Sequence, residues 1–137
     1  MLGFDTLYEA DSDDDALARI SSEQGRILLT RDRGLLKRRM VQYGRCLRTT
    51  DPLAHVIEVA NEFDLAPRVR AFTRCIRCNG ALEAVDAADV RSLLPPRVRL
   101  RTDGFTQCRD CRRLYWPGTH FVRMRELVAR IVQAAGG

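Results

Sequence analysis

Lysine is almost absent from this chain: Lys37 is the only one, and every other basic side chain is arginine. Also missing are an apolar run long enough to span a membrane and a signal-peptide pattern at the N-terminus. These absences argue against a membrane partner and favour a cytoplasmic protein. Without a secretion signal, five cysteines that include two CxxC pairs point to metal binding rather than disulfides. The start lacks a leading element too. Met1–Asp5 runs straight into Thr6–Ala10, which reads as a short strand whose edge either another element covers or a missing natural beginning would have covered.

What is present is unevenly distributed. At 137 residues the chain can form one compact domain, or one domain plus a small module. Residues 1–64 carry nine basic against twelve acidic side chains, a net −3, whereas residues 65–137 carry fourteen arginines against six acids, a net +8. Arginine forks bind phosphate in a bidentate way and stack on bases, so the second half suits nucleic acid.

The stretch Arg26–Arg39 organises the first half. Ile27-Leu28-Leu29 is a short apolar run that fits a strand buried on both faces of a parallel sheet. It ends in Thr30-Arg31-Asp32, and Arg33–Val41 follows with helical spacing. Asp32 therefore stands just past the carboxyl end of a strand, where open α/β sheets hold their sites, and it also suits the helix N-cap. Asp11-Ser12-Asp13-Asp14-Asp15 opens an earlier helix, with Ser12 or Asp13 as cap and Gly25 as its end. Four acids in five residues repel one another unless something positive lies between them, and a divalent ion would serve. Arg45–Thr49 reads as a third strand, and Asp51-Pro52 starts a third helix. Strand–helix repeated three times makes a parallel α/β unit whose acids share one edge. Clustered carboxylates there suit Mg²⁺ or Mn²⁺.

The second half carries Cys75-x-x-Cys78 and Cys108-x-x-Cys111, four thiolates for one tetrahedral structural Zn²⁺. A short helix is expected at Ala88–Leu94, broken by Pro95-Pro96. Phe105–Gln107 and Arg113–Trp116 read as a ribbon hairpin. Arg109, Arg112 and Arg113 lie beside Tyr115 and Trp116, a pattern suited to single-stranded nucleic acid; the alternative is that Tyr115 and Trp116 pack the ribbon against the main domain, the reading preferred for Trp116. Gly118–Ala135 reads as a helix capped by Thr119. His55 reads as a packing residue and His120 as a helix-start residue. The boundaries are an α/β domain at 1–66, a zinc ribbon at 67–117, and a C-terminal helix at 118–137 packing on the α/β domain.

Taken in order, LGFDTLY, DDDALARI, GRILLTRDRGLLKRR, TTDP, FTRCIRCNG, CRDC and LYWPGTHFVRM cover nearly the whole chain. In this the chain resembles the Mut-seven C-terminal RNase domain family, a PIN-like nuclease domain with an attached zinc ribbon. The resemblance implies acids that hold Mg²⁺ or Mn²⁺ for RNA cleavage. Thr30-Arg31-Asp32 matches the family's Thr-x-Asp motif, Asp14 matches the acid that opens the preceding helix, Asp13 and Asp15 are alternatives beside it, and Asp51 is a further candidate. Thr30 would orient Asp32, and Arg31 and Arg33 would contact RNA. PIN-like domains usually open with an apolar strand that ends in an acid; this chain reads as starting after it, and Asp5 does not match that acid. The expectation is an N-terminally shortened α/β domain with weakened metal affinity and a tendency to homodimerise. Two readings follow: a metal-dependent ribonuclease whose ribbon helps bind RNA, or a non-catalytic zinc-ribbon protein that binds RNA or a ribosome. An antitoxin partner has no supporting motif.

Overall fold

The computed structural model describes residues 1–101 and 103–136. It forms two compact units: Tyr8–Leu65, and Met1–Leu7 together with the chain from Ala66 onward.

The first unit runs α1 (Asp14–Gln24), β1 (Leu28–Thr30), α2 (Arg33–Leu36), β2 (Gly44–Cys46) and α3 (Pro52–Glu62). The helix ends follow the sequence closely. Asp13 caps α1 by accepting from the Ala16 N–H at 2.7 Å, and Gly25 closes it in the left-handed conformation, φ 62°, that a residue without Cβ adopts at no steric cost. Asp51 caps α3, with Pro52 at its first turn. β1 and β2 pair in parallel, Leu28 opposite Gly44 and Thr30 opposite Cys46. Ala18, Leu28 and Leu35 form the core, with Leu17, Leu36 and Val41 packed against it.

Three expectations are corrected here. Thr6–Ala10 is not a strand. Its neighbourhood is taken up by other bonds: the Asn79 side chain accepts from the Thr6 N–H at 2.8 Å and donates to the Phe4 carbonyl at 3.0 Å. The helix expected over Arg33–Val41 stops at Leu36, because the chain tightens into successive turns (Arg38 N–H to Leu35 O, Val41 N–H to Arg38 O) that return Gly44 to Leu28. The Ile27–Leu29 run is not buried on both faces. Leu28 is 9 % exposed but Ile27 is 47 % and Leu29 40 %, because alternate strand residues face opposite ways and only one face carries the apolar core.

The second unit contains β3 (Leu82–Ala84), α4 (Ala87–Val90), β4 (Thr106–Cys108), β5 (Leu114–Tyr115) and α5 (Thr119–Ala135), with 3₁₀ turns at Ala66–Arg68 and Arg91–Leu93. Its sheet is antiparallel in the order β3-β4-β5. Val90, Leu94 and Phe105 are buried together, and Trp116 packs on them, so the packing role holds for this residue. The residue before α5 is Gly118, not Thr119, and it makes no side-chain cap. Val128 and Ile131 bury the helix face, and the Phe121 ring meets Phe72 at 4.7 Å between centroids. Met1 and Leu2 accept backbone bonds from Phe72 and Arg70, so the N-terminal segment belongs to this unit.

Asn79 holds that segment with both ends of its amide while its own backbone is left-handed, φ 62°. Asn79→Gly keeps the turn and removes both bonds, each worth about 1 kcal/mol. Faster proteolysis within Met1–Leu7 is expected, and an unchanged cleavage rate would refute this role.

Candidate functional site

The best-defined site is the cysteine cluster. Each CxxC pair is carried on a tight turn. In the first, Asn79 N–H bonds to Cys75 O at 2.9 Å and Cys75 N–H to Gly80 O at 2.8 Å; in the second, Arg112 N–H bonds to Cys108 O at 3.1 Å and Cys108 N–H to Arg113 O at 2.9 Å. Asn79 and Arg112, the residues after each second cysteine, are both left-handed. Gly80 is required where the turns approach, since a Cβ there would lie 2.9 Å from Cys108 Sγ. All four sulfurs lie within 4.8 Å of one another, and Cys75–Cys111 and Cys78–Cys108 stand at 3.6 and 3.4 Å. Zinc–sulfur bonds of about 2.3 Å in a tetrahedron place sulfurs about 3.8 Å apart, so the cluster fits one zinc ion, and none of the four is in a disulfide.

The protonation of the cluster fits the same role. Burial pushes the Cys75 thiol up, but hydrogen bonds outweigh it: the Tyr115 hydroxyl at 3.0 Å, then backbone N–H groups and Cys111, bring it down to about 6. The Gly80 N–H draws the Cys78 thiol down, but its sulfur neighbours Cys108, Cys111 and Cys75, together with burial, push it up to about 12. One sulfur ionises readily and resists ionisation of the next; a bound dication would relieve that conflict. The same environment holds the Tyr115 hydroxyl above its ordinary value, first by burial and then by its bond to Cys75. The sequence leaves Tyr115 between a nucleic-acid surface and ribbon packing; its bond to a cluster sulfur becomes visible only once β5 is paired with β4.

The acids sit elsewhere, in the first unit. Asp32 follows β1 and Asp51 follows β2, each accepting from the following helix through Oδ1: Gly34 N–H at 2.7 Å and Ala54 N–H at 2.8 Å. Thr30 Oγ1 accepts from the Asp32 N–H at 3.0 Å and so fixes the turn that presents Asp32. Asp13 is a cap. Asp14 and Asp15 share the guanidinium of Arg38, Asp15 in direct contact and Asp14 at 3.7 Å. The positive charge that the acid cluster requires is therefore an arginine, a residue that sequence reading missed inside the run Lys37-Arg38-Arg39. Among the described residues, the four cysteines are the group of ligand-type side chains that comes together within 4.8 Å, and no three of these acids do. An open cavity of about 220 Å³ near Ile27, Tyr43, Gly44, Glu62 and Phe63 lies at the opposite, amino ends of β1 and β2.

Arg38 is partly exposed, so its ion pairs contribute modestly. Arg38→Ala is expected to lower stability by less than about 1 kcal/mol at low salt. The difference should vanish near 1 M salt, where the Debye length is about 3 Å. Urea melts at both salt concentrations test this; a large loss that persists in high salt would contradict it.

Of the arginines expected to meet nucleic acid, Arg31, Arg33, Arg112 and Arg113 are exposed, while Arg109 is paired with Glu83 at 2.8 Å. No described helix is long and apolar enough to cross a membrane.

No curated protein and no solved structure matches the chain. The family model of the Mut7-C RNAse domain does, over residues 1–128, a span that takes in the acids, the Thr-Arg-Asp turn and both cysteine pairs. By that match the chain belongs to the Mut7-C RNAse domain family.

Proposed function

We propose that this chain is a PIN-like, metal-dependent ribonuclease, a hydrolase of RNA phosphodiesters. One observation carries the reading beyond family membership: Asp32 and Asp51 both follow the carboxyl ends of the parallel strands β1 and β2, the edge at which open α/β sheets hold ligands.

The donor set suits a hard dication. The side chains are carboxylates, and the cap bonds of Asp13, Asp32 and Asp51 each use Oδ1, leaving Oδ2 as an acceptor. Asp14 and Asp32 would hold Mg²⁺ or Mn²⁺, with Asp13, Asp15 and Asp51 as neighbouring acids. When bound, such an ion supplies an activated water and charge stabilisation at the phosphate. The chain's own contribution is positioning. Thr30 fixes the backbone of Asp32, α2 holds its carboxylate by the cap bond, and Arg31 and Arg33 stand on either side to attract phosphate. Zinc in the cysteine cluster serves folding, since four thiolates leave no open position.

The experiment is cleavage of a labelled single-stranded RNA in Mn²⁺ by this chain and by Asp32→Asn. Loss of cleavage in the variant supports the reading; equal cleavage overturns it. The non-catalytic alternative, an RNA- or ribosome-binding protein, draws support from Arg38, whose guanidinium already neutralises Asp14 and Asp15. It predicts salt-sensitive RNA binding without added divalent ions and no cleavage by either protein.

A further inference from the structure

Between β3 and β4 the chain makes a long excursion whose second part, Arg91–Arg101, carries four arginines and no acid. This segment is folded, not a loose tail. The 3₁₀ turn Arg91–Leu93 leads into successive tight turns: Val98 N–H to Pro95 O at 2.8 Å, Arg99 N–H to Pro96 O at 3.4 Å, and Arg101 N–H to Val98 O at 3.0 Å. Leu94 is buried with Val90 and Phe105, and Val98 packs against that cluster. Arg99 Nε bonds to the Leu94 carbonyl at 2.9 Å and closes the turn on itself. The inward residues are thus apolar, and Arg91, Arg97, Arg99 and Arg101 are left exposed.

Two arginines near the cysteines have acidic partners, whereas Arg112 and Arg113 are exposed as those of the excursion are. Arg109 is neutralised by Glu83, and Arg74 lies 3.4 Å from Asp5. In the excursion, among the described residues, Arg101 has only a long contact to Asp103 at 4.0 Å, and Arg91 and Arg97 have no ion-pair partner. Beside them Leu100 is 90 % exposed and Leu93 67 %. Like charges held together at fixed positions repel, and a polyanion would relieve that repulsion.

We infer that the Arg91–Arg101 excursion is a binding surface for single-stranded RNA, contributed by a stretch of sequence other than the cysteine turns. The inference rests on the RNA reading above and names a part of the chain that grips the strand. Guanidinium groups take phosphates in bidentate fashion and stack on bases. The exposed leucines give the unstacked base faces an apolar neighbour. Two leucines are too little apolar surface for a lipid anchor, which needs a whole amphipathic face, so RNA rather than a membrane is the occupant.

The test is fluorescence anisotropy with a labelled single-stranded oligoribonucleotide, using the zinc-loaded full chain without Mg²⁺ or Mn²⁺. Arg91, Arg97 and Arg101 are changed together to Gln, with Arg99 kept because it closes the turn. The dissociation constant should rise about tenfold or more, and the slope of log affinity against log salt should flatten by about 2, since each phosphate contact on a single strand contributes about 0.7. Should the triple variant melt early, Arg97→Glu alone carries the same prediction in a smaller size. Unchanged affinity and slope would overturn the inference, as would binding to phosphatidylserine vesicles in the absence of RNA binding. The ribonuclease reading fails separately: a chain that never cleaves, yet loses RNA affinity in the loop variants, removes the catalytic proposal and leaves this surface standing.

Discussion

Cys108→Ser is expected to strip the metal from the second unit and unfold its sheet, while the first unit keeps its fold. Cys108 is fully buried, lies in β4 opposite Leu82, and stands 3.4 Å from Cys78. A serine hydroxyl is a poor zinc ligand at neutral pH, so three thiolates would remain around a site shaped for four. Structural zinc contributes about 10–16 kcal/mol of binding free energy in zinc-finger peptides, which is comparable to the about 5–15 kcal/mol that stabilises a typical domain. The local apolar core, Val90, Leu94 and Phe105 with their partners, is small, and it leans on the same sheet that the cysteines join. The first unit has its own core of Ala18, Leu28 and Leu35 and supplies none of the four cysteines. Amide spectra should therefore lose the dispersed signals of β3, β4 and β5 and retain those of α1 and α3, with zinc content falling from one ion per chain. A strong chelator should do the same to the unaltered protein, and added zinc should reverse it. Cys46→Ser is the control, because Cys46 lies outside the cluster and its loss should leave the zinc content unchanged. A Cys108→Ser protein with full zinc and a native spectrum would show that the metal does not hold this unit together.

Local signals survived the passage from sequence to structure best where the chemistry is local. The caps Asp13, Asp32 and Asp51 act within three residues of themselves, and Gly25 ends its helix by its own backbone freedom, so each is legible in a few letters. The cysteine pairs are legible for the same reason, since a CxxC turn presents its sulfurs without help from distant residues. Legibility fails where a remote partner decides. Nothing in Thr6–Ala10 announces that Asn79 will take the bonds a strand would need. Nothing in Asp11–Asp15 announces that Arg38, more than twenty residues on, will supply the countercharge. The exposed faces of Ile27 and Leu29 likewise depend on how many layers cover the sheet, which a short apolar run does not encode. The arginines of the excursion were visible as composition, but their exposure depends on Leu94 and Val98 folding inward at the Val90 and Phe105 cluster.

Asp32 offers a way to separate folding from chemistry, because the residue does two things with one carboxylate. Its Oδ1 caps α2 through Gly34 N–H, a role that asparagine fills about as well as aspartate. Its charge is what a divalent ion requires, and asparagine does not supply it. Asp32→Asn is thus expected to keep stability within about 0.5 kcal/mol, whereas Asp32→Ala, which removes the cap, should cost about 1 kcal/mol. Both should lose Mn²⁺-dependent cleavage. Outer-shell partners of metal ligands typically cost 10–100-fold when removed, so loss of a direct ligand should reach about 100-fold or more in rate. The diagnostic is the dissociation of the two effects: stability should follow the cap and discriminate Asn from Ala, while activity should follow the charge and treat them alike. If instead Asp32→Asn cleaves as fast as the parent and only Asp32→Ala is slower, in step with its lower stability, then Asp32 is a helix cap and nothing more, and the catalytic edge must be sought at other acids or not at all.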